Sequence, residues 1–159
     1  MSDHVEVHNY TSQDAQPTLA IFLEAVTKTA APHYTPEQIG AWAAPRERDL
    51  ATWHQRRSSR ATLVATVNDE AAGFSDVDIE GFIDMLFVAP RFGRRGIATR
   101  LLREVESRAR EVGARSLSVD ASVVARPLLE RLGFSVEAEQ QPELRGVTLV
   151  NYRMVKVLG

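Results

Sequence analysis

The sequence contains no cysteine. That excludes a disulfide framework, a thiol nucleophile and a cysteine-ligated zinc or iron–sulfur centre. Its four histidines (His4, His8, His33, His54) are scattered without HExxH spacing, so no metal site is expected. Neither sign of charge dominates: 19 Lys and Arg against 21 Asp and Glu give a formal net charge of −2. This balance argues against nucleic acid as a partner of the whole domain. No apolar stretch approaches the ~18 residues that a membrane span requires. Met1-Ser2-Asp3-His4 opens without the basic region and apolar run of a signal peptide. A cytoplasmic protein without a membrane partner is therefore expected. Repeats, low-complexity tracts and linker-like shifts of composition are also missing. What remains is 159 residues, 44% hydrophobic and 25% charged, enough to close one core. Residues 1–159 are read as a single domain.

Periodicity predicts the elements. Residues 4–10 read as a strand and ~13–30 as a helix, with Leu19, Phe22, Leu23, Val26 and Ala30 on one face. Thr35-Pro36-Glu37-Gln38 combines a cap, proline at the first helical position and Gln three residues on, opening a helix to about Ala43. Another helix covers 46–58. The period then turns to alternation: strand 61–67, a turn at Asn68–Glu70, partner 71–79, and a more apolar, central strand 82–89 stopped by Pro90. An amphipathic helix at ~96–112 buries Ile97, Leu101, Leu102, Val105, Ala109 and Val112, and pairs Glu104 with Arg108 and Glu106 with Arg110. Strand 115–120, helix ~125–132, and an antiparallel hairpin of strands 134–139 and 147–157 follow. The order predicts an α/β (α+β) domain: a mixed, mostly antiparallel sheet with helices on both faces.

Chemistry concentrates where strand 82–89 runs through Pro90-Arg-Phe-Gly-Arg-Arg-Gly-Ile-Ala98 into the long helix. A glycine-bearing turn at a helix start offers free N–H groups and the positive end of the helix dipole, where phosphate docks. Arg91, Arg94 and Arg95 add charge beside it. The turn has neither GxxxxGK[ST] nor GxGxxG, so it is neither a Walker loop nor a dinucleotide fingerprint. By residue chemistry alone two readings stand: a pyrophosphate site of another class, and a solvent-facing turn that the arginines keep soluble.

The run from Ile83 to Leu102 resembles the acetyl-CoA motif of the GNAT superfamily of N-acetyltransferases, and Ala125–Phe134 resembles its second signature, a helix followed by Gly-Phe and a strand. The resemblance implies a GNAT-like acyltransferase fold and acetyl-CoA as cosubstrate. It implies that Leu86, Phe87 and Val88 line the pantetheine arm and polarise the acetyl carbonyl. Arg91, Gly93, Arg94, Arg95, Gly96, Ile97, Ala98 and Thr99 would then hold pyrophosphate. Two positions depart from the pattern: Gly93 replaces a Gln or Arg, and Leu129 replaces a tyrosine that serves many members as general acid. Leu129 offers no hydroxyl there and is kept in the cofactor-binding set that the resemblance implies.

The attacking amine must be neutral, so a base or a water chain takes its proton. Asp84, an acid in an apolar strand two residues before Leu86, is the candidate base; the alternative is a strand-end carboxylate that faces water or an arginine. Ser122 and Tyr152 are the hydroxyls to consider as acid, with a helix-cap serine and a packing tyrosine as the plainer alternatives. Ser122 also falls where the resemblance places the thiol of coenzyme A. His33, Tyr34 and Trp42, in the helical segment 30–56, are expected to bind the acceptor, a small-molecule or peptide amine. A catalytically weak acyl-CoA-binding sensor is the alternative function. The terminal strands offer edges for a homodimer.

Overall fold

The computed structural model describes residues 3–159; Met1 and Ser2, which open the segment where no signal peptide is expected, lie outside them. Local chemistry sets the helix starts. β1 (Val5–Asn9) leads into α1 (Ala15–Glu24), which runs on as a π turn over Ala25–Thr29. At α2 (Pro36–Ala43) the Gln38 amide donates to the Thr35 hydroxyl at 3.1 Å, and the Thr35 amide donates to the Gln38 side chain at 2.9 Å. α3 (Leu50–Ser59) starts later than expected, because Asp49 accepts from the Thr52 amide at 3.1 Å and Pro45–Glu47 form a separate 3-10 turn.

β2 (Leu63–Val67) and β3 (Glu70–Ser75) form the expected hairpin, with Asn68 and Asp69 left-handed at φ 48° and 69°. β3 stops at Ser75, short of 79. The expected strand 82–89 is two strands in two sheets. β4 (Phe82–Ile83) pairs in parallel with β6 (Ser116–Ser122), and β5 (Leu86–Val88) pairs antiparallel with β3. One sheet has the order β1-β2-β3-β5. The other is β4-β6-β10-β7, with β7 at Ser135–Gln140 and β10 at Asn151–Val157. The expected strand 147–157 is broken too: β8 (Glu143–Leu144) and β9 (Val147–Thr148) make a small hairpin, and β10 starts after it. β10 pairs with both β6 and β7, so the strands near the termini that keep an outer edge among the described residues are β1 and β7.

Alternate residues of β3 face opposite helices. Phe74 meets Trp53 of α3 at a ring distance of 5.9 Å. A Cβ on Gly73 would lie 3.2 Å from Ile97 and 3.3 Å from Leu101 of α4 (Ile97–Glu111). Helices therefore cover both faces. α4 buries Ile97, Leu101, Leu102, Val105 and Ala109, while Val112, past its end, is 51% exposed. Glu106 pairs with Arg110 at 3.0 Å. Arg108 instead donates to the Ala61 carbonyl and to Asn9, at 2.6 Å each, so the expected pairing with Glu104 does not form. α5 (Arg126–Arg131) follows β6. Among the described residues, no helix is long and apolar enough to cross a membrane.

Candidate active site

β4 and β6 run in parallel until Ile83; then the chain leaves β6 and joins β3. A break inside a sheet exposes backbone polar groups, and these need partners. Here β3 and its continuation supply them. The amides of Asp84 and Met85 donate to the Asp76 carboxylate at 2.8 and 3.2 Å, and the Ser75 hydroxyl donates to the Met85 carbonyl at 2.8 Å. Asp76 also takes Arg57 at 3.0 Å and Arg60 at 2.9 Å, and Arg57 reaches on to Asp84 at 2.9 Å. Arg57 and Asp76 are fully buried. Burial pushes the Asp76 carboxyl above its ordinary range, against the pull of the Asp84 amide and the two guanidiniums.

Beyond this seam the two sheets diverge around a groove of about 320 Å³. Leu86, Phe87 and Val88 line one side; Ser122, Ala125 and Leu128 line the other. β5 ends its sheet, so one of its edges faces the groove. Ala89 donates to Ala72 at 2.8 Å. In an antiparallel register bonded and non-bonded pairs alternate, so Phe87 bonds Phe74 while the amides of Leu86 and Val88 point away from β3, into the groove.

The turn closes the far end. Arg94 (φ 60°) and Gly96 (φ 74°) are both left-handed, and the first α4 bond runs from Arg100 to the Gly96 carbonyl at 3.0 Å. The first-turn amides of α4 thus have no intrahelical acceptor, and they sit at the positive end of a 15-residue helix. Such turns form anion-binding concavities. A ligand with an anionic middle and a long, mostly apolar arm fits this shape.

The expected site residues divide. Gly93, Arg94, Gly96, Ile97, Ala98 and Thr99 line the groove together with Leu86–Val88, Ser122 and Trp42. Arg91 and Arg95 do not. Arg91 bonds Glu70 at 2.6 Å and approaches Glu24 at 3.7 Å, and Arg95 bonds Asp3 at 2.7 Å. Leu129 is a core residue, 1% exposed; its neighbour Leu128 faces the groove. Asp84 holds Arg57 from outside the groove lining. The Ser122 hydroxyl accepts from the Ala125 amide at 3.1 Å, the cap-like arrangement weighed above.

Tyr152 lies under the Arg126 guanidinium at 4.5 Å and lines neither the groove nor the space beside it. His33 is exposed at the end of a 3-10 turn. Tyr34 packs edge-on against Trp42 at 5.5 Å. Its hydroxyl donates to the Val150 carbonyl at 2.9 Å and accepts from the Val123 amide at 3.0 Å. Burial pushes this phenol above its ordinary value, so it stays protonated and keeps both bonds.

Sequence reasoning missed Arg131, a second cation in the groove lining, and the buried pair of Arg57 and Asp76. The pair left a signal: Arg57 stands four residues after Trp53, on the buried face of α3.

Comparison with known proteins agrees with this geometry. Residues 30–156 match the family model described as acetyltransferase (GNAT) domain. The chain is 40% identical over 152 residues to the uncharacterized N-acetyltransferase YafP of Escherichia coli, covering 96% of this chain and 95% of that one. The structure of a GCN5-related N-acetyltransferase from Rhodopseudomonas palustris is similar with a TM-score of 0.93 and 32% identity, covering 99% of both chains. YncA from Salmonella typhimurium, a putative acetyltransferase solved with its cofactor acetyl-CoA, shares the fold at a TM-score of 0.76 and 18% identity, covering 98% of this chain and 95% of that one.

Proposed function

The chain belongs to the acetyltransferase (GNAT) domain family, and we propose that it transfers an acetyl group from acetyl-CoA to a primary amine of a small molecule or peptide by direct attack. The observation that carries this reading is one continuous groove, in which the outward amides of Leu86 and Val88 lead to the free amides of the left-handed turn. Acetyl-CoA supplies the thioester carbon. The amides of residues 94–98 hold the pyrophosphate, with Arg94 and Arg131 as the cations in reach. Arg91 and Arg95 are left out of this set because carboxylates occupy them.

A β5 amide of Leu86 or Val88 donates to the carbonyl oxygen, where negative charge grows as the bond to nitrogen forms. The C–S bond then breaks, and its electron pair leaves with sulfur. Thr29, Thr99 and Ser122 bring hydroxyls to the groove lining; of these Ser122 falls where the family resemblance puts the sulfur, so it is retained over Tyr152 as the acid. Asp84 receives the amine proton through water, because it stands outside the lining. Residues 1–159 work as one N-acetyltransferase domain, in the cytoplasm, where acetyl-CoA is available.

Thermal unfolding with acetyl-CoA, using NAD and ATP as controls, tests the reading. A ligand at ~100 times its dissociation constant adds about 2.7 kcal/mol of stability. Stabilisation by acetyl-CoA alone is the expected result, reduced in Arg94→Ala. No shift at millimolar acetyl-CoA would remove the donor assignment.

A further inference from the structure

Beside the groove lies a second cavity of about 60 Å³, which shares Trp42 and Ser122 with it. Its other walls include Pro142, Leu144, Leu149 and Val150, and none of its eight lining residues is charged. It is built in advance. The hairpin that carries Leu144 is clasped to α2: Gln38 donates to the Thr148 carbonyl at 3.0 Å, Arg145 donates to the Ala41 carbonyl at 3.0 Å, and Arg145 also pairs with Glu47. Tyr34 ties the back wall by bridging Val123 and Val150.

The side-chain acceptors in its lining each already hold a donor. The Tyr34 hydroxyl makes two bonds, and the Asn151 carbonyl oxygen accepts from Gln140 at 2.9 Å. A second ammonium placed here would lie unpaired against apolar carbon, which is strongly unfavourable. A short alkyl branch, by contrast, gains about fourfold in binding for each methylene it buries. The cavity is much the smaller of the two spaces, so the part of an acceptor that it covers is a short branch. An apolar mouth also favours the uncharged amine, the form that attacks.

Resting on the acetyl-CoA reading above, we propose that this cavity is the acceptor pocket, and that the acceptor is a monoamine carrying a short, uncharged, apolar branch. The branch sits against Leu144 and Leu149, and the nitrogen sits at the opening shared by Trp42 and Ser122. In the reaction the nitrogen bonds the acetyl carbon, sulfur leaves with the C–S electron pair, and the amine proton passes to water.

The test compares kcat/KM for isobutylamine, ethanolamine and spermidine by thiol release and product mass, in wild type, Leu144→Glu and Leu144→Val. Isobutylamine is expected to exceed both others by about tenfold or more. Leu144→Glu should lose that preference, Leu144→Val should keep it, and all three proteins should keep the thermal shift with acetyl-CoA. Ethanolamine or spermidine matching isobutylamine in wild type would overturn the pocket assignment, whether or not Leu144→Glu folds. So would an unchanged preference in Leu144→Glu. An acetyl-CoA shift without turnover of isobutylamine would overturn the acceptor class and leave the donor site standing; no shift in wild type would remove the donor reading itself.

Discussion

The seam at Asp76 and the groove beyond it lie a few residues apart along the same chain, yet they treat backbone polar groups in opposite ways. At the seam, the Asp84 and Met85 amides and the Met85 carbonyl all find buried side-chain partners. In the groove, the Leu86 and Val88 amides and the first turn of α4 point into open space. The first arrangement holds two sheets apart with the backbone groups of the break paired, leaving only the buried Nε atoms of Arg57 and Arg60 without a partner among the described residues. The second keeps donors free for a ligand. Buried charge is spent on shape, and free amides on binding.

This contrast makes its strongest prediction at the seam. Asp76→Ala leaves Arg57 and two amides short of an acceptor and should cost about 3–5 kcal/mol in urea unfolding. A loss under about 1 kcal/mol would mean that the seam does not hold the sheets apart. On the groove side, Gly96→Ala meets no atom within 4 Å of its Cβ but keeps φ at 74°. The cost should be backbone strain alone, about 1 kcal/mol. It should come with weaker acetyl-CoA binding by calorimetry; unchanged binding would separate the left-handed turn from the ligand. The smallest effect belongs to Arg91→Ala. Its surface ion pairs are worth ~0–1 kcal/mol, and the acetyl-CoA shift should stay at the wild-type value while Arg94→Ala lowers it.

What could be read from the sequence was local. The Thr35–Gln38 cap, the Asn68-Asp69 turn and the α4 stripe each rest on residues within a few positions of one another, and they form as expected except for Val112, which is exposed past the end of α4. The glycine turn into α4 was legible for the same reason. The division of strand 82–89 was not, because apolar character continues across Asp84 while the acceptor that breaks the ladder is Asp76, on another segment. Arg91 and Arg94 look equivalent in a row of arginines. Their difference comes from Glu24 and Glu70, which only the fold brings near. The choice of Leu128 over Leu129 as the groove-facing side chain depends on how α5 is rotated, and a six-residue helix has too little pattern to show it.

Amide hydrogen exchange with and without acetyl-CoA would probe the free donors directly. New protection concentrated at Leu86, Val88 and residues 94–98, with the exchange of Asp84 and Met85 unchanged, is the expected result. Protection elsewhere, with those amides exchanging as fast as in the free protein, would contradict the assignment of the groove.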